Sequence, residues 1–396
     1  MKIHTVKSGE SIDSIAEEYG IGRELLEKTN GISPRTQLTA GEELAVILPT
    51  RTYKVRRGDT PERIALRFGV RKNELFAQNP DISGRELSDG ELLILRTDEP
   101  SHGIAASNGT YYRGCGIPRL KKMLPYTTYV SVAEASVGDG KIKSLFDGSG
   151  AVKTINDSAR VPLMRIFDGG TGEKYKTKQT RAEFIDELIN AASARGYKGI
   201  TLATGECARG SDENFAEFLV ELRRKMIGCD LILICEMDEN TPIYLNELSD
   251  GTIFSYDKCA YDSPPDFSDG ERSELGKFAT SAESSKSFLD ISPFAFSDGK
   301  YETIDEAIGE ARRTRAEIVT DEKSLLSSYE RRGHTTRWSS LKNIKARLEL
   351  LPELGFMGMS FDIMRTPIAH LMMYNSLYKT VSYTGLTSRE GCNREL

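Results

Sequence analysis

The amino-acid sequence predicts an α/β protein in which two small βααβ modules precede a (β/α)8 barrel. Three observations lead to this prediction. The first hundred residues contain an internal repeat, and eight apolar strands alternate with helical segments in the rest of the chain. No glycine-rich phosphate loop follows the first of those strands. The absence of this loop disfavours a doubly wound open sheet, which is the alternative to a barrel for the region after the repeat.

The repeat becomes visible when the first fifty residues are shifted by 49 positions. The register never slips over this length, which indicates a duplication of one structural unit. The matched pairs include Val6 and Val55, Gly9 and Gly58, Ser11 and Thr60, Leu26 and Leu75, Asn30 and Asn79, Gly41 and Gly90, and Leu44 and Leu93. The repeat therefore predicts two modules, which we place at residues 1–49 and 50–97.

Each copy predicts the order strand, helix, helix, strand. A short strand ends at a turn whose hydroxyl residue, Ser11 or Thr60, is placed to cap a helix. Apolar residues at helical spacing follow, and then a glycine ends that helix. A second short helix, an Asn turn and a closing apolar strand complete the unit. A lone module of about fifty residues buries little surface and is only marginally stable.

Bulk composition excludes several classes of protein. The net charge is −6, with 28% charged and 38% hydrophobic residues, and no basic run of the nucleic-acid type is present. No apolar run is long enough to span a membrane, and the N-terminus lacks a secretion signal. The six cysteines form no CxxC pair, and the four histidines have no metal-ligand spacing. We therefore expect a chain made in the cytoplasm, without a metal, a cofactor, or a nucleic-acid or membrane partner.

The stretch TDEPS at residues 97–101 is typical of a linker, and we place the barrel at residues 102–385. Four helices are predicted between or after strands, at 181–195, 214–227, 304–315 and 339–354. The eight predicted strands lie at 103–107, 128–132, 161–167, 199–204, 231–236, 251–256, 287–294 and 358–361. In such a barrel the chemistry is found where the strands end.

The modules resemble the LysM family. The opening strings HTVKSGES and YKVRRGDT, the apolar helix ending in Tyr-Gly or Phe-Gly, the Asn turn and the last strand carry the resemblance over residues 2–96. The resemblance implies that peptidoglycan or chitin binds between two loops of each module. The same residues also cap helices and form turns. The residues it implies are Gly9, Glu10, Ser11, Ile12, Asn30, Gly31, Ile32 and Ser33 in the first copy, and Gly58, Asp59, Thr60, Pro61, Asn79, Pro80, Asp81 and Ile82 in the second.

Residues 102–380 resemble glycoside hydrolase family 18, and within it the LysM-bearing branch associated with bacterial spores. The string GYKGITLATGE at 196–206 is similar to the fourth barrel strand of that family, which carries two carboxylates. IFSYD at 253–257 resembles the sixth strand, and LGFMGMSF at 354–361 the last. DEAI at 305–308 and WSSL at 338–341 are similar to the helix after strand seven and the approach to helix eight.

The two carboxylate positions of the family fall here on Ala203 and Gly205. In the family one carboxylate protonates the leaving oxygen, and the other orients the acetamido group that attacks the anomeric carbon. Neither Ala203 nor Gly205 can titrate, and Asp362 stands where the family has a sugar-stacking Trp. Glu206 lies one residue late, so its side chain is expected to point away from the mouth unless a bulge redirects it.

Other polar residues near strand ends are candidates for the barrel cleft. The resemblance assigns Tyr256, with Asp257 after it, to an acetamido-binding position, and burial in the core is the alternative for Tyr256. A different acidic cleft or cation site could form from Asp168, Glu134, Glu236, Asp238, Asp257 and Asp362. The alternative is that these acids are solvated or cap helices.

The sequence thus predicts binding to an N-acetylglucosamine-containing glycan, such as peptidoglycan or spore cortex, by a chain whose barrel lacks catalysis. Two further interpretations stay open. The barrel could be an active N-acetylglucosaminidase that uses Glu206 or another carboxylate, or an unrelated barrel enzyme that the repeats carry to the wall. The resemblance also implies association with the spore.

Overall fold

The structure is a computed structural model that describes residues 1–97, 102–138, 141–168, 172–203, 213–256, 265–291 and 293–381. Two βααβ modules form its N-terminal part. Module one contains β1 (Lys2–Thr5), α1 (Ile12–Tyr19), α2 (Arg23–Asn30) and β2 (Glu43–Val46). Module two contains β3 (Pro49–Lys54), α3 (Pro61–Phe68), α4 (Lys72–Gln78) and β4 (Leu92–Thr97). Each module closes by antiparallel pairing of its two strands.

The caps that the sequence predicts are formed in both modules. The Ser11 side chain accepts from the Ser14 backbone N–H at 3.1 Å, and the Thr60 side chain accepts from the Arg63 N–H at 3.3 Å. The first helices end at Gly20 and Gly69, both with φ of 65°, a left-handed conformation that glycine adopts without strain.

The recurring Asn joins the second helix of each module to its last strand. In module two the Asn79 amide Nδ2 donates to the carbonyls of Leu75 at 2.9 Å and Ile94 at 2.7 Å, and Asn79 Oδ1 accepts from the Ile94 N–H at 2.8 Å. Asn30 makes the same three bonds in module one. The repeat therefore preserves this Asn because its side chain completes the backbone pairing of a very small core.

Eight parallel strands close into a barrel, which confirms the predicted fold class. In barrel order they are β5 (Ile104–Tyr111), β6 (Tyr129–Gly138), β8 (Val161–Asp168), β9 (Gly199–Ala203), β10 (Ile232–Met237), β11 (Gly251–Phe254), β12 (Ser287–Ile291) and β18 (Gly358–Asp362). The sheet is closed because β5 pairs with both β6 and β18. The short strand β7 (Lys141–Ser144) pairs antiparallel with the last residues of β6, and β19 (Lys379–Thr380) pairs parallel with the start of β5.

Helices surround this barrel on its outer face. They are α5 (Ile117–Met123), α6 (Ser149–Asp157), α7 (Lys178–Ala194), α8 (Glu213–Gly228), α9 (Tyr244–Glu247), α10 (Arg272–Ser281), α12 (Leu341–Glu353) and α13 (Ile368–Leu377). Outward-facing strand residues such as Leu202 and Leu289 pack with them in the largest apolar cluster. No helix in the described part of the chain combines the length and the apolar character needed to cross a membrane.

A second sheet is inserted between β12 and α12, and the sequence analysis did not predict it. This inserted subdomain contains β13 (Phe294–Ser297), β14 (Lys300–Thr303), α11 (Ile304–Thr314), β15 (Val319–Thr320), β16 (Leu326–Arg331) and β17 (His334–Ser339). Its antiparallel sheet has the order β14-β13-β17-β16-β15. Ala295, Ala307, Ala311 and Trp338 are buried between that sheet and α11.

Two predictions need correction here. The single strand predicted at 287–294 is two strands in different sheets, because β12 ends at Ile291 and β13 begins at Phe294. The helix predicted from DEAI, assigned to the barrel, is α11 and packs on the inserted sheet instead. Alternation of apolar residues predicts an element well but does not say which sheet it joins.

Both modules are docked on the rest of the chain. Tyr126, after α5, donates its hydroxyl to the Ala77 carbonyl of module two at 2.7 Å. Module one contacts the inserted subdomain, where the Ile318 N–H donates to the Ala40 carbonyl at 2.9 Å and Thr39 Oγ1 donates to the Ala316 carbonyl at 2.7 Å. These bonds give the marginally stable modules a supporting surface.

Replacing Asn79 with Ala should lower the free energy of unfolding by about 2 kcal/mol, because the change leaves the Ile94 N–H without its side-chain acceptor and removes the side-chain donor to the Leu75 and Ile94 carbonyls. Urea unfolding measures this loss, and amide exchange at Ile94 should accelerate. Asn240→Ala, in an exposed loop, is the control. Equal stability of the two variants would refute a bridging role for Asn79.

Candidate functional site

The interior of the barrel is built in layers because successive side chains on a strand alternate between its two faces. The interior near the amino ends of the strands is apolar and forms one cluster, which on β8 and β10 includes two successive inward residues. It contains Ala106, Tyr129, Val161, Leu163, Ile232, Ile234, Ile253 and Phe288. Each strand residue two positions further along points inward again, closer to the carboxyl ends of the strands.

The next layer is polar and hydrogen-bonded across the barrel. Ser131 Oγ donates to Asn108 Oδ1 at 2.8 Å and lies 2.7 Å from Thr201 Oγ1. Asn108 Nδ2 donates to Ser360 Oγ at 3.3 Å. All four residues are buried. The network establishes that Thr201 on β9 points into the barrel, and Ala203, two residues later, therefore points toward the mouth.

An ion pair spans the mouth across strand β9. Arg165 on β8 donates Nε to Glu236 Oε1 at 2.5 Å and Nη2 to Glu236 Oε2 at 2.7 Å, and Glu236 belongs to β10. Burial alone would lower the pKa of the guanidinium, but the Glu236 carboxylate raises it above its usual value. Ala203, on the strand between them, is buried. A fixed bidentate pair thus joins the two strands that flank Ala203, the first of the two positions at which the family resemblance leads one to expect a carboxylate.

Asp290 is a third carboxyl group in the mouth, and the sequence analysis did not single it out. It follows Phe288 by two residues on β12, and it accepts from Ser255 Oγ at 3.3 Å. Burial raises its pKa to about 7, and the charges of Glu236 and Asp362 add to that rise. A charged residue inside the otherwise apolar stretch SFLDI was the signal that could have indicated it.

Asp362 lies at the mouth, at the end of the last strand, and both of its carboxylate oxygens accept hydrogen bonds. Oδ1 accepts from the backbone N–H groups of Met364 at 2.7 Å and Arg365 at 2.9 Å. Oδ2 accepts from Arg365 Nη1 at 2.7 Å. Asp362 therefore orders the turn after β18 and holds the Arg365 guanidinium at the rim.

Aromatic rings and guanidinium groups form a continuous strip from the mouth onto the inserted sheet. The Tyr112 ring centroid lies 5.6 Å from Arg165 and 5.2 Å from Arg365. Arg365 is also 5.6 Å from the Phe294 ring, which neighbours Tyr301 at 6.1 Å. Tyr301 is exposed. Faces of this kind can pack against sugar rings through apolar C–H surfaces.

The remaining acids proposed for a cleft have partners elsewhere. Glu134 pairs with Arg195 at 2.6 Å, and Asp168 is buried with Lys174 at 2.7 Å and with the Tyr175 hydroxyl. Asp238 accepts from Thr241 and Asn240 within its own loop. The expected joint acidic cleft is therefore corrected: of its described members, Glu236 and Asp362 lie in the mouth, and Asp290 joins them.

Of the three remaining residues predicted for the cleft, the structure describes only Tyr256. Glu206 and Asp257 lie outside the described residues. Tyr256 is buried in the same apolar cluster as Phe254, which stacks on Phe278 of α10 with ring centroids 3.9 Å apart. This environment corresponds to the core alternative for Tyr256, whereas Ser255 contacts Asp290 in the mouth.

The predicted acids of the two modules close the first turn. Glu10 Oε2 accepts from the Lys7 N–H at 2.7 Å and lies 2.9 Å from His4 Nε2. Asp59 at the matching position accepts from the Arg56 N–H at 2.9 Å and from the Tyr53 hydroxyl at 2.5 Å. These bonds lower the pKa of both carboxyls, chiefly through the Lys7 N–H for Glu10 and the Tyr53 hydroxyl for Asp59.

One group among the described residues could hold a metal ion, and it lies at this turn. Ligand atoms of His4, Glu10 and Glu18 fall within 4.8 Å of one another. Module two has Tyr53 in place of His4 and builds the same turn with a hydroxyl. The His4–Glu10 contact is therefore explained as the first module's version of a structural hydrogen bond.

The predicted glycan-binding residues separate into two surfaces in module one. Gly9, Glu10, Ser11 and Ile12 line an open groove of about 750 Å³, whose other wall includes residues 36–40 and part of the inserted subdomain. Asn30, Gly31 and Ile32 face a smaller pocket of about 210 Å³ against the barrel. The structure therefore groups residues 9–12 with the later loop 36–40, and not with the Asn turn.

In module two the Asn turn also faces inward. Asn79, Pro80, Asp81 and Ile82 line a cavity of about 120 Å³ between the two modules, with Met372 of α13 at one side. Gly58 is exposed, and Asp59, Thr60 and Pro61 are partly exposed. A volume of that size is too small for a sugar chain, so the outward-facing loop at 58–61 is the better candidate surface.

The raised pKa of Asp290 predicts a pH-dependent difference between the wild-type chain and Asp290→Asn. From about pH 4, the usual value for Asp, to about pH 7, the folded chain holds a proton that the unfolded chain has released. The wild type should therefore lose stability relative to the variant as the pH rises through this window. Thermal unfolding from pH 4 to 8 measures the difference, with Asp89→Asn as an exposed control. A constant difference would contradict the raised pKa.

The LysM domain family matches residues 4–46 and 53–94. YdhD of Bacillus subtilis (strain 168), named as a sporulation-specific glycosylase, is 26% identical over 253 residues, which cover 61% of this chain and 59% of that protein. The match thus spans less than two thirds of the relative's length. Membrane-bound lytic murein transglycosylase D of Escherichia coli (strain K12) is 29% identical over 107 residues, 24% of each protein.

Solved structures with the same fold include the spore cortex-lytic enzyme SleL of Bacillus megaterium QM B1551. Its TM-score is 0.72 at 17% identity, covering 96% of this chain and 99% of that chain. A chitinase from Chromobacterium violaceum ATCC 12472 has a TM-score of 0.60 at 16% sequence identity, and the match covers 69% of this chain and 98% of the chitinase chain. A GH18 chitinase from Cycas revoluta has a TM-score of 0.59 at 15% sequence identity, and the match covers 69% of this chain and 99% of the chitinase chain. This chain therefore carries two LysM domains in tandem, followed by a barrel with the fold of SleL and the GH18 chitinases.

Proposed function

We propose that this protein binds an N-acetylglucosamine-containing glycan, the peptidoglycan of the spore cortex, through its two LysM domains. The observation that carries the proposal is the open groove of module one, which is lined by loop residues 9–12 of a LysM domain. Exposed backbone groups and hydroxyls there can hydrogen-bond an acetamido group, and the partly exposed Leu38 adds apolar surface. The names of SleL and YdhD support the association with spores.

We further propose that the barrel binds glycan without cleaving it. Ala203 points into the mouth and has no titratable group, and Gly205 is the second residue at which the resemblance expects a carboxylate. Glu236 is fixed in a bidentate pair with Arg165, so it is poorly placed to transfer a proton. Loss of a general acid typically costs about 10²–10⁴-fold in rate, and loss of the orienting carboxylate adds to this. The strip from Tyr112 to Tyr301 supports a binding role.

A second candidate function is an active N-acetylglucosaminidase that uses Glu206 or another carboxylate. Asp290 is the observation that favours it. A carboxyl group with a pKa of about 7 in the mouth holds its proton near neutral pH, as a general acid must. This candidate requires that the substrate's leaving oxygen reach Asp290, with Ser255 as its neighbour.

Sedimentation with insoluble glycans tests the binding proposal. The full chain should sediment with spore-cortex peptidoglycan, and excess chitotetraose should release it. Binding to the polymer should exceed binding to the soluble oligosaccharide by at least about tenfold, because two sites on one chain gain effective concentration on a repetitive ligand. Cellulose, which lacks the acetamido group, is the control. A chain that remains in the supernatant with peptidoglycan would overturn the proposal.

Hydrolysis of a chromogenic N-acetylglucosaminide separates the two candidates for the barrel. The binding proposal predicts no turnover above the uncatalysed rate, and none in Glu206→Gln or Asp290→Asn. Turnover that disappears in either variant would establish the second candidate and overturn the first. Ala203→Asp combined with Gly205→Glu is the complementary variant, and we expect it to restore some turnover if the cleft is open.

A further inference from the structure

The glycan groove of module one has a second wall that does not belong to the LysM domain. Arg312, Arg315 and Glu317, at the end of α11 and just after it, line the same groove as residues 7–13 and 36–40. The inserted subdomain is part of the barrel chain, some 270 residues away in sequence from the groove that it completes. A glycan in this groove therefore meets side chains of both parts.

This second wall is held firmly in place. Arg312 donates Nε to Glu42 Oε2 at 3.0 Å and Nη2 to Glu42 Oε1 at 2.5 Å, and the Glu42 side chain is 1% exposed. A Cβ at Gly41 would lie 1.6 Å from the Ile318 carbonyl oxygen, so only glycine permits this close approach. The groove is consequently a preformed site and not a chance gap between mobile parts.

Module two has no such wall in the described part of the chain. Its residue matching Glu42 is Glu91, which pairs with Arg85 of its own module and with Lys28 of module one. A Cβ at Gly90, which matches Gly41, would meet only the Lys54 side chain, at 3.6 Å. The two modules thus differ in what surrounds an equivalent loop, although their folds are the same.

The charges of the composite groove indicate what kind of glycan it fits. Two of its acids are engaged, because Asp13 pairs with Arg23 at 2.6 Å and Glu10 closes the turn with His4. Arg315 is exposed, and no ion pair of its side chain is found among the described residues. The Lys7 ammonium is 74% exposed and 3.8 Å from Glu10. Two accessible cations therefore face the groove, while Glu317 is its one acid without an ion-pair partner in the described chain.

We propose that module one and the inserted subdomain form one composite subsite that selects glycans bearing a carboxylate over neutral ones. In glycans of alternating N-acetylglucosamine and N-acetylmuramic acid, the lactyl group of a muramic acid residue that carries no peptide supplies that carboxylate, and Arg315 binds it. This proposal rests on the proposed glycan binding and assigns its selectivity to residues outside the LysM domain. A charge-assisted hydrogen bond from a guanidinium to a carboxylate is the chemistry that distinguishes the two ligand classes.

Calorimetric titration of the full chain with two tetrasaccharides of equal length tests the composite subsite. One is chitotetraose, which is neutral, and the other is the dimer of the N-acetylglucosamine–N-acetylmuramic acid repeat. Arg315→Gln should weaken binding of the muramic-acid ligand about fivefold and leave chitotetraose binding unchanged. Glu317→Gln should strengthen binding of the muramic-acid ligand, because it removes a negative charge beside the carboxylate. Arg224→Gln, on the outer helix α8, is the matched control.

Each outcome has a distinct meaning. If wild-type chain binds neither tetrasaccharide, the proposed glycan binding itself fails. If it binds both and Arg315→Gln changes neither affinity, the inserted subdomain is not part of the site. Equal weakening of both ligands would overturn the carboxylate selectivity. Raising the salt concentration should reduce the wild type's preference for the muramic-acid ligand, because accessible charge pairs are screened.

Discussion

The mouth of the barrel is organised by the Arg165–Glu236 ion pair. Two charges taken out of water are costly unless they satisfy each other, and this pair does so with two parallel hydrogen bonds. The pair reaches from β8 to β10 across β9, the strand that ends at the buried Ala203. The neighbouring Asp290 shows the effect of a further acid, since the charge of Glu236 adds to its raised pKa.

The same pair influences the rim of the mouth. Arg165 and Arg365 both lie close to the Tyr112 ring centroid, at 5.6 and 5.2 Å, and Arg365 is held by Asp362. Asp362 stands where the family resemblance has an aromatic residue, but here aromatic surface is provided by Tyr112, Phe294 and Tyr301 instead. The described part of the mouth thus combines charges that are neutralised locally with aromatic rings that lie along the rim.

The sequence was sufficient for those features that depend on local periodicity. It predicted all eight barrel strands, the two modules and the caps at Ser11 and Thr60. These features depend on the periodicity of apolar residues and on turn and cap residues that lie close together in the sequence. It missed the inserted sheet, although the DG turn at 298–299 is a hairpin signal, because the apolar run before it was interpreted as one strand. It missed the partner of Glu236 because this contact across the barrel joins residues 71 positions apart, and the Ser255–Asp290 contact likewise joins residues 35 positions apart.

The barrel and the inserted subdomain hold both LysM domains through direct contacts. The inserted subdomain emerges between the last two barrel strands, and its residues 312–320 hold module one through Glu42, Ala40 and Thr39. Module two is held separately, at Tyr126 after α5. The barrel therefore fixes the distance and orientation of two loop surfaces. Effective concentration on a repetitive polymer depends on that spacing, because two sites gain affinity only when one chain can reach both.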